Sequence, residues 1–380
     1  MQSINFICEL MDVIERFLTN IYRSAFLPLV RVMAGRKRFL SASRGPAVST
    51  VFEALSDKDE VIKKCQELLQ GHPPLLRRSF HELPSAPNLA TVRIMQWNIL
   101  ADALGNGGDN FIKCPKEALN WETRKFRILE ELLIYDPDVM CLQEVDHYHD
   151  FFDPILKVLG YHGTFMAKPS SPCLDNPYNN GPDGCALFFK SDKFDLINCE
   201  KLVLKVTHDG YQRWSNQVGI ISTLRYNILG QSKKEIVVGV THLKAKAGCE
   251  YIRHSQGLDL HEHFSNQIGS HPGVLVGDFN AETSEEVYCV FAESPLNLNS
   301  AYKLLSKDGQ TEPDYTTWKI RKNGEQCHTI DYMWYTKEGL AVKRLLHIPT
   351  GEEIGKDRLP SETYPSDHLS LVCDFLVIDH

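Results

Sequence analysis

Apolar residues between positions 91 and 380 alternate with polar ones or gather in short blocks bounded by turn residues, a pattern that predicts strands. The blocks fall at 92–98 (VRIMQWN), 138–145 (DVMCLQEV), 185–190 (CALFFK), 218–225, 235–243 (EIVVGVTHL), 273–280 (GVLVGDFN), 328–335 (HTIDYMWY) and 369–377 (LSLVCDFLV). β-Branched and aromatic residues, which suit a pleated surface, fill most of them. A helical period appears between some of the blocks. It is clearest over 119–135 (LNWETRKFRILEELLIY), where Phe126, Leu129, Leu132 and Leu133 share one face and Asp136 and Pro137 stop the run. A weaker helix is expected near 250–268. Strands and helices mixed in this way predict an α/β or α+β domain with sheets packed inside helices.

Residues 1–90 have a different texture. No acidic residue occurs from Arg16 to Phe52, while Arg16, Arg23, Arg31, Arg36, Lys37, Arg38 and Arg44 are interleaved with apolar residues and serines. That resembles a mitochondrial transit segment, although Glu9, Asp12 and Glu15 ahead of it fit poorly; translation from Met33 would remove them. The alternative is a solvated, disordered tail on a cytoplasmic protein. "DKDEVIKKCQELLQ" (57–70) predicts a short amphipathic helix, and the "HPPLLRRSFHELPSAP" that follows reads as linker. The expected organisation is therefore a targeting or disordered segment over 1–90 and one domain over 91–380. No apolar run approaches the ~20 residues of a membrane span.

Composition narrows the picture. With 43% hydrophobic and 24% charged residues the chain can bury a large core. Its 11 cysteines are scattered singly and form no CxxC pair, which fits a reducing compartment better than a disulfide or zinc scaffold. Of the 41 Lys+Arg and 49 Asp+Glu, 12 and 9 lie in the first 90 residues, so the remainder carries about −11. Such a field does not favour a long polyanion, and a phosphate ligand would need a local cluster of cations.

Polar residues collect at the ends of the predicted strands. They are Trp97 and Asn98, Gln143 and Glu144, Thr241 and His242, Asp278 and Asn280, Asp331, and the run Ser366, Asp367, His368. Singly, each has an ordinary explanation: an Asx turn, a surface charge, a core histidine, a helix cap. Six sets at strand ends point instead to one site. Side chains two apart on an extended chain face the same way, which aims Asp278 and Asn280 together.

In that order, WN, QE, THL, GDFN, a later strand Asp and SDH resemble the exonuclease, endonuclease and phosphatase superfamily over residues 91–378. The resemblance implies a DNase I-like four-layer α/β (α+β) sandwich, with two packed mixed β-sheets flanked by helices. It also implies metal-dependent phosphoesterase activity. Phosphate ester hydrolysis needs a cation on the phosphoryl oxygens, an activated water and donors for growing charge. Oxygen ligands suit a hard cation such as Mg²⁺, whereas zinc would want more His or Cys. By resemblance, Glu144 and Asp367 are metal ligands with Asn98 close by. His368 paired with Asp331 moves a proton or steadies the phosphate, Asp278 and Asn280 hold the attacking water and a phosphoryl oxygen, and His242 is a phosphate donor.

The PAWCDR run of inositol polyphosphate phosphatases is replaced here by HTIDYMWY. "NNGPDGCALFFKSDKFDL" (179–196) and "SPLNLNSAYKLLSKDGQTEPDYTTWKIR" (294–321) instead resemble the deadenylase-like branch. Within that branch the resemblance implies removal of the 2′-phosphate of NADP and NADPH, with Lys168, Lys244, Lys246, Arg321 and Asn180 in the substrate pocket. Lys246 stands where Arg is expected, which keeps the charge and gives up the bidentate fork. Two alternatives remain open: a poly(A)-specific 3′ exoribonuclease and a non-catalytic protein that binds RNA or a partner. A poly(A) tail would want a basic groove with spaced aromatics, so NADP(H) is the favoured partner and RNA the disfavoured one. A monomer is expected.

Overall fold

The computed structural model describes residue 52 and residues 55–84, 89–105, 111–227 and 234–378. The arginine-rich stretch read as a transit segment or tail lies, up to residue 51, outside the described residues. In chain order the first strands are β1 (Phe80–Glu82), β2 (Thr91–Asn98), β3 (Val139–Gln143), β4 (Tyr161–Ala167) and β5 (Gly184–Lys190). Then come β6 (Phe194–His208), β7 (Tyr211–Tyr226), β8 (Lys234–His242), β9 (Gly273–Asp278) and β10 (Leu298–Ser300). The last are β11 (Thr317–Arg321), β12 (Gly324–His328), β13 (Asp331–Thr336), β14 (Leu340–Leu346) and β15 (Leu371–Val377). Four longer helices are used below: α1 (Lys58–Leu68), α2 (Trp121–Tyr135), α3 (Glu250–Ile268) and α4 (Glu286–Ala292).

Among the described residues there are two large mixed sheets, ordered β1-β14-β15-β2-β3-β5-β4 and β10-β13-β9-β8-β7-β6, with β11-β12 as a separate hairpin. Strand parity decides what lies between the sheets. Val92 and Ile94, Val139 and Cys141, and Cys185 and Leu187 of the first sheet meet Val238 and Val240, Val274 and Val276, and Met333 of the second in one buried cluster. Continuing each alternation to the strand end brings Gln96 and Asn98, Gln143, His242, Asp278 and Asp331 onto that same inner face. Parallel pairing of β8 with β9 places His242 opposite Asp278, and antiparallel pairing of β9 with β13 places Asp331 opposite Asp278. Polar residues therefore close one end of an apolar seam. Gly277 permits the close β8–β9 approach, since a Cβ there would lie 2.3 Å from the Thr241 carbonyl oxygen.

Helices cover the outer faces. Against the second sheet, Leu260, Phe264 and Ile268 of α3 and Val287 and Phe291 of α4 pack with Leu275 and Trp334. On the other side, α2 begins at Asn120, whose side chain accepts from the Glu122 N–H, and ends at Asp136 in a left-handed conformation (φ 48°). The four layers agree with the expected architecture. Every strand block read from the pattern is present, but 328–335 is broken between β12 and β13, which belong to different sheets. β6 escapes a reading based on apolar alternation because most of its first half is exposed, as at Asp195 and Asn198, and beyond it only Leu202 and Leu204 are buried.

Residues 72–84 of the segment read as linker are structural. Within them, β1 pairs with β14 at the sheet edge, and the side chain of Arg78 just ahead of it is buried. Arg78 pairs with Glu131 of α2 at 2.7 Å and donates to the Ser370 carbonyl at 2.9 Å. Glu131 also accepts from Ser370 Oγ at 2.8 Å and from the Tyr364 hydroxyl at 3.3 Å. Removing one partner would leave a buried charge uncompensated. Glu131→Ala is expected to cost about 3–5 kcal/mol of stability, read by urea denaturation with an unchanged m-value. A loss below about 1 kcal/mol would show that the segment contributes little to the folded unit.

Candidate active site

Where the seam ends, hydrogen bonds knit the strand-end residues together. Asn98 Nδ2 donates to Asp278 Oδ2 at 2.9 Å and to Glu144 Oε1 at 3.1 Å, while its Oδ1 accepts from the Leu100 N–H at 3.0 Å. Glu144, just past β3, sits at φ 57°, and its Oε2 accepts from the Ala101 N–H at 3.2 Å. His368 Nδ1 lies 2.9 Å from Asp331 Oδ2. That carboxylate is fully engaged, with Thr316 Oγ1 donating to Oδ2 at 2.6 Å and Gln96 Nε2 to Oδ1 at 3.0 Å. Asp278 Oδ2 faces His242 Nε2 at 3.5 Å and His368 Nε2 at 3.8 Å.

Electrostatics divide these groups. Burial raises the proton affinity of Asp278 and Asp331 adds to it, while His368 and Asn98 act the other way. Burial opposes the charge of His368, yet Asp331, Asp367 and Asp278 outweigh it and push the imidazole up to about 9. His242 goes the other way, held well below its ordinary value by burial and by the cations Lys168 and His368. Lys168 Nζ is 3.4 Å from His242 Nδ1 and can only donate, so the neutral imidazole carries its proton on Nε2, toward Asp278.

Several expected contacts are arranged differently. Asp367, expected beside Glu144 as a metal ligand, has its carboxylate taken up by Lys319 at 2.5 Å and Arg321 at 3.6 Å. Despite burial these cations and His368 hold it far below the usual carboxylate range, and an ion would have to displace them first. Lys168 is 7% exposed and paired with Asp183 at 2.6 Å, so it supports His242 rather than presenting a free ammonium. Asn180 is exposed, and its amide reaches His147 Nδ1 at 3.1 Å. β9 stops at Asp278, and Asn280 adopts φ 51° with its N–H donating to Asp278 Oδ1 at 2.9 Å. An Asx turn, not strand alternation, thus brings Asp278 and Asn280 to the same place.

A cleft of ≈ 960 Å³ opens beside this cluster, and its lining includes Lys246, Asn280, Thr317, Lys319, Arg321 and His328. Lys244 is half-buried, its N–H donating to Gln256 Oε1 at 3.0 Å and its carbonyl accepting from Arg253 at 3.0 Å. Lys319 went unnoticed in the sequence. Its signal was available: in TWKIR, Lys319 and Arg321 are two apart on one strand and share a face.

For a divalent cation, the chemistry of the donors decides the fit. Asp278, Asp331 and His368 have ligand atoms within 4.8 Å of one another, but Asp331 has both oxygens in hydrogen bonds. Among the described residues Glu144 receives two donors, Asn98 and the Ala101 N–H, and keeps lone pairs for an ion. An oxygen donor of this kind fits a hard cation.

Comparison with known proteins places this geometry in a family. A model of the Endonuclease/Exonuclease/phosphatase family matches residues 95–368. The chain belongs to that family. Nocturnin of Xenopus laevis is 55% identical, over 84% of this chain and 82% of the relative, and nocturnin of Homo sapiens is 54% identical over 84% and 73%. The chain therefore lies in the nocturnin branch. A solved structure of the human nocturnin catalytic domain with bound sulfate anion matches with a TM-score of 0.67 and 49% identity, covering 80% of this chain and 100% of that one. ANGEL2, a 2′,3′-cyclic phosphatase solved in complex with adenosine-2′,3′-vanadate, matches with a TM-score of 0.64 and 25% identity, over 79% and 99%. The Ccr4 exoribonuclease subunit of Yarrowia lipolytica is 31% identical over 69% of this chain and 44% of the relative. Fold and family make this a hydrolase fold with a candidate metal site.

Proposed function

We propose that the protein is a Mg²⁺-dependent phosphatase that removes the 2′-phosphate of NADP and NADPH, leaving NAD and NADH. The observation that carries this reading is the compact cleft in which Lys246, Lys319 and Arg321 stand with Asn280, next to the Asp278–His368–Asp331 cluster; Lys319 and Arg321 share the Asp367 carboxylate, and Glu250, Glu282 and Glu285 also line the cleft. Four or so negative charges on a phosphorylated dinucleotide suit a compact pocket with a few local cations, whereas a polymer would want a long basic groove. ANGEL2 offers a precedent, as a relative of this fold that accepts a vanadate on the adenosine 2′ and 3′ oxygens.

In this reading Glu144 holds Mg²⁺, which when bound neutralises phosphoryl oxygens. Water attacks the phosphorus as the bond to the ribose 2′ oxygen breaks, and that oxygen takes a proton from solvent to leave as a hydroxyl. Asp278, whose proton affinity is raised, takes the proton of the attacking water; His368, already protonated at neutral pH, cannot. His368 and the Nε2–H of His242 instead stabilise charge that builds on the phosphoryl group.

Substrate choice is tested by measuring phosphate release from NADP beside shortening of a polyadenylated RNA, on one preparation. Lys246→Ala and Arg321→Ala should each lower kcat/KM for NADP by roughly 10- to 150-fold, the equivalent of a charge-assisted contact worth ~1.5–3 kcal/mol. Efficient shortening of RNA with no phosphate released from NADP would overturn the reading.

A further inference from the structure

Arg124 is a buried cation whose hydrogen bonds all go to backbone carbonyls on two separate loops. It stands in the first turn of α2 and is fully buried. Its Nε donates to the Pro365 carbonyl at 2.8 Å, and its Nη2 donates to the carbonyls of Ile99, at 2.8 Å, and Leu100. Nη1 is buried without a hydrogen-bond partner among the described residues. Gly105 leaves room for this end of the fork, since a Cβ there would come within 3.3 Å of Nη1.

Both loops lead directly to the candidate site. Leu100 is held at φ 60°, a left-handed conformation that a branched residue with a Cβ adopts only under constraint. Its N–H is tied to Asn98 Oδ1 at 3.0 Å and its carbonyl to Arg124, and the next N–H, of Ala101, donates to Glu144. On the other loop, Pro365 precedes Ser366, whose Oγ donates to the Asn98 carbonyl at 2.6 Å and accepts from the His368 N–H at 3.1 Å. One guanidinium therefore sets the spacing between the turn that holds Asn98 and Glu144 and the loop that carries His368.

We propose that Arg124 is a positioning residue for phosphoryl transfer, fixing Glu144 and His368 relative to each other without touching substrate. This rests on the assignment of the site above. Lysine preserves the charge but cannot span three carbonyls on two loops, so geometry is what Arg124→Lys removes.

The test compares the wild type with Arg124→Lys and Arg124→Ala, each normalised to the folded fraction seen by circular dichroism. On NADP, Arg124→Lys should lose about 100-fold in kcat with KM moved by less than about threefold, as expected for a small misplacement of reacting groups. Millimolar methylguanidinium should restore part of the kcat of Arg124→Ala; the same reagent would not rescue a fold that had merely lost stability. Wild-type kcat in Arg124→Lys, or a loss that disappears on normalisation, would overturn the proposal. Should the wild type act on polyadenylated RNA and not on NADP, the substrate reading fails and the kcat ratio on RNA decides Arg124. Should it act on neither, the downfield proton resonance of His368 Nδ1, identified by its loss in His368→Gln, decides instead. A shifted resonance in Arg124→Lys supports the role, and an unmoved one overturns it.

Discussion

Asp278→Asn is expected to lower kcat for phosphate release from NADP by about 10²–10⁴-fold with little change in KM, the range for loss of a positioned proton acceptor. Burial and the neighbouring Asp331 prepare this carboxylate for the task, against the opposing pull of the facing His368. An amide fills the same volume but sets its NH2 against one of the two donors, Asn98 Nδ2 or the Asn280 N–H, so turnover is normalised to the folded fraction. The pH dependence supplies an independent check. Asp278 must be ionised to accept a proton and His368 protonated to stabilise charge, so in the wild type kcat/KM should rise as pH passes about 7 and fall as pH rises through about 9, when the imidazolium is lost. An Asp278→Asn enzyme within tenfold of wild type, or a rate still climbing above that pH, would overturn the assignment of the two groups.

Glu144→Gln should have an effect on the order of 10³-fold or more, because several kcal/mol of charge stabilisation on the phosphoryl oxygens depends on the cation it would hold. Gln retains an oxygen for the Ala101 N–H but loses the charge. Calorimetric titration with Mg²⁺ reads the metal without reference to turnover: heat of binding in the wild type and its loss in Glu144→Gln are expected. Asp367→Asn provides the contrast. Its carboxylate already neutralises Lys319 and Arg321, so this change should leave Mg²⁺ affinity nearly intact. Equal loss of Mg²⁺ binding in both variants would return Asp367 to the metal site.

Much of the site was legible because it repeats a local rule. Asn98, His242, Asp278 and Asp331 each continue the inward alternation of an apolar strand, and period-two geometry is visible in one dimension. The strand-rich α/β texture and helix α2 with its stop at Asp136 were equally local. Charge pairing was not. Whether Lys168 and Asp367 reach a ligand or neutralise a neighbour depends on Asp183, 15 positions along the chain from Lys168, and on Lys319, 48 positions from Asp367. Arg78 and Arg124 look like surface charges in the sequence, yet the side chains of both are buried against loops that lie far along the chain. By itself the sequence determined which residues end the strands and face inward, since backbone geometry couples neighbours through sterics. Only the tertiary structure decided which charges are free to act, because the energy of a buried charge is set by partners that folding alone brings within hydrogen-bond distance.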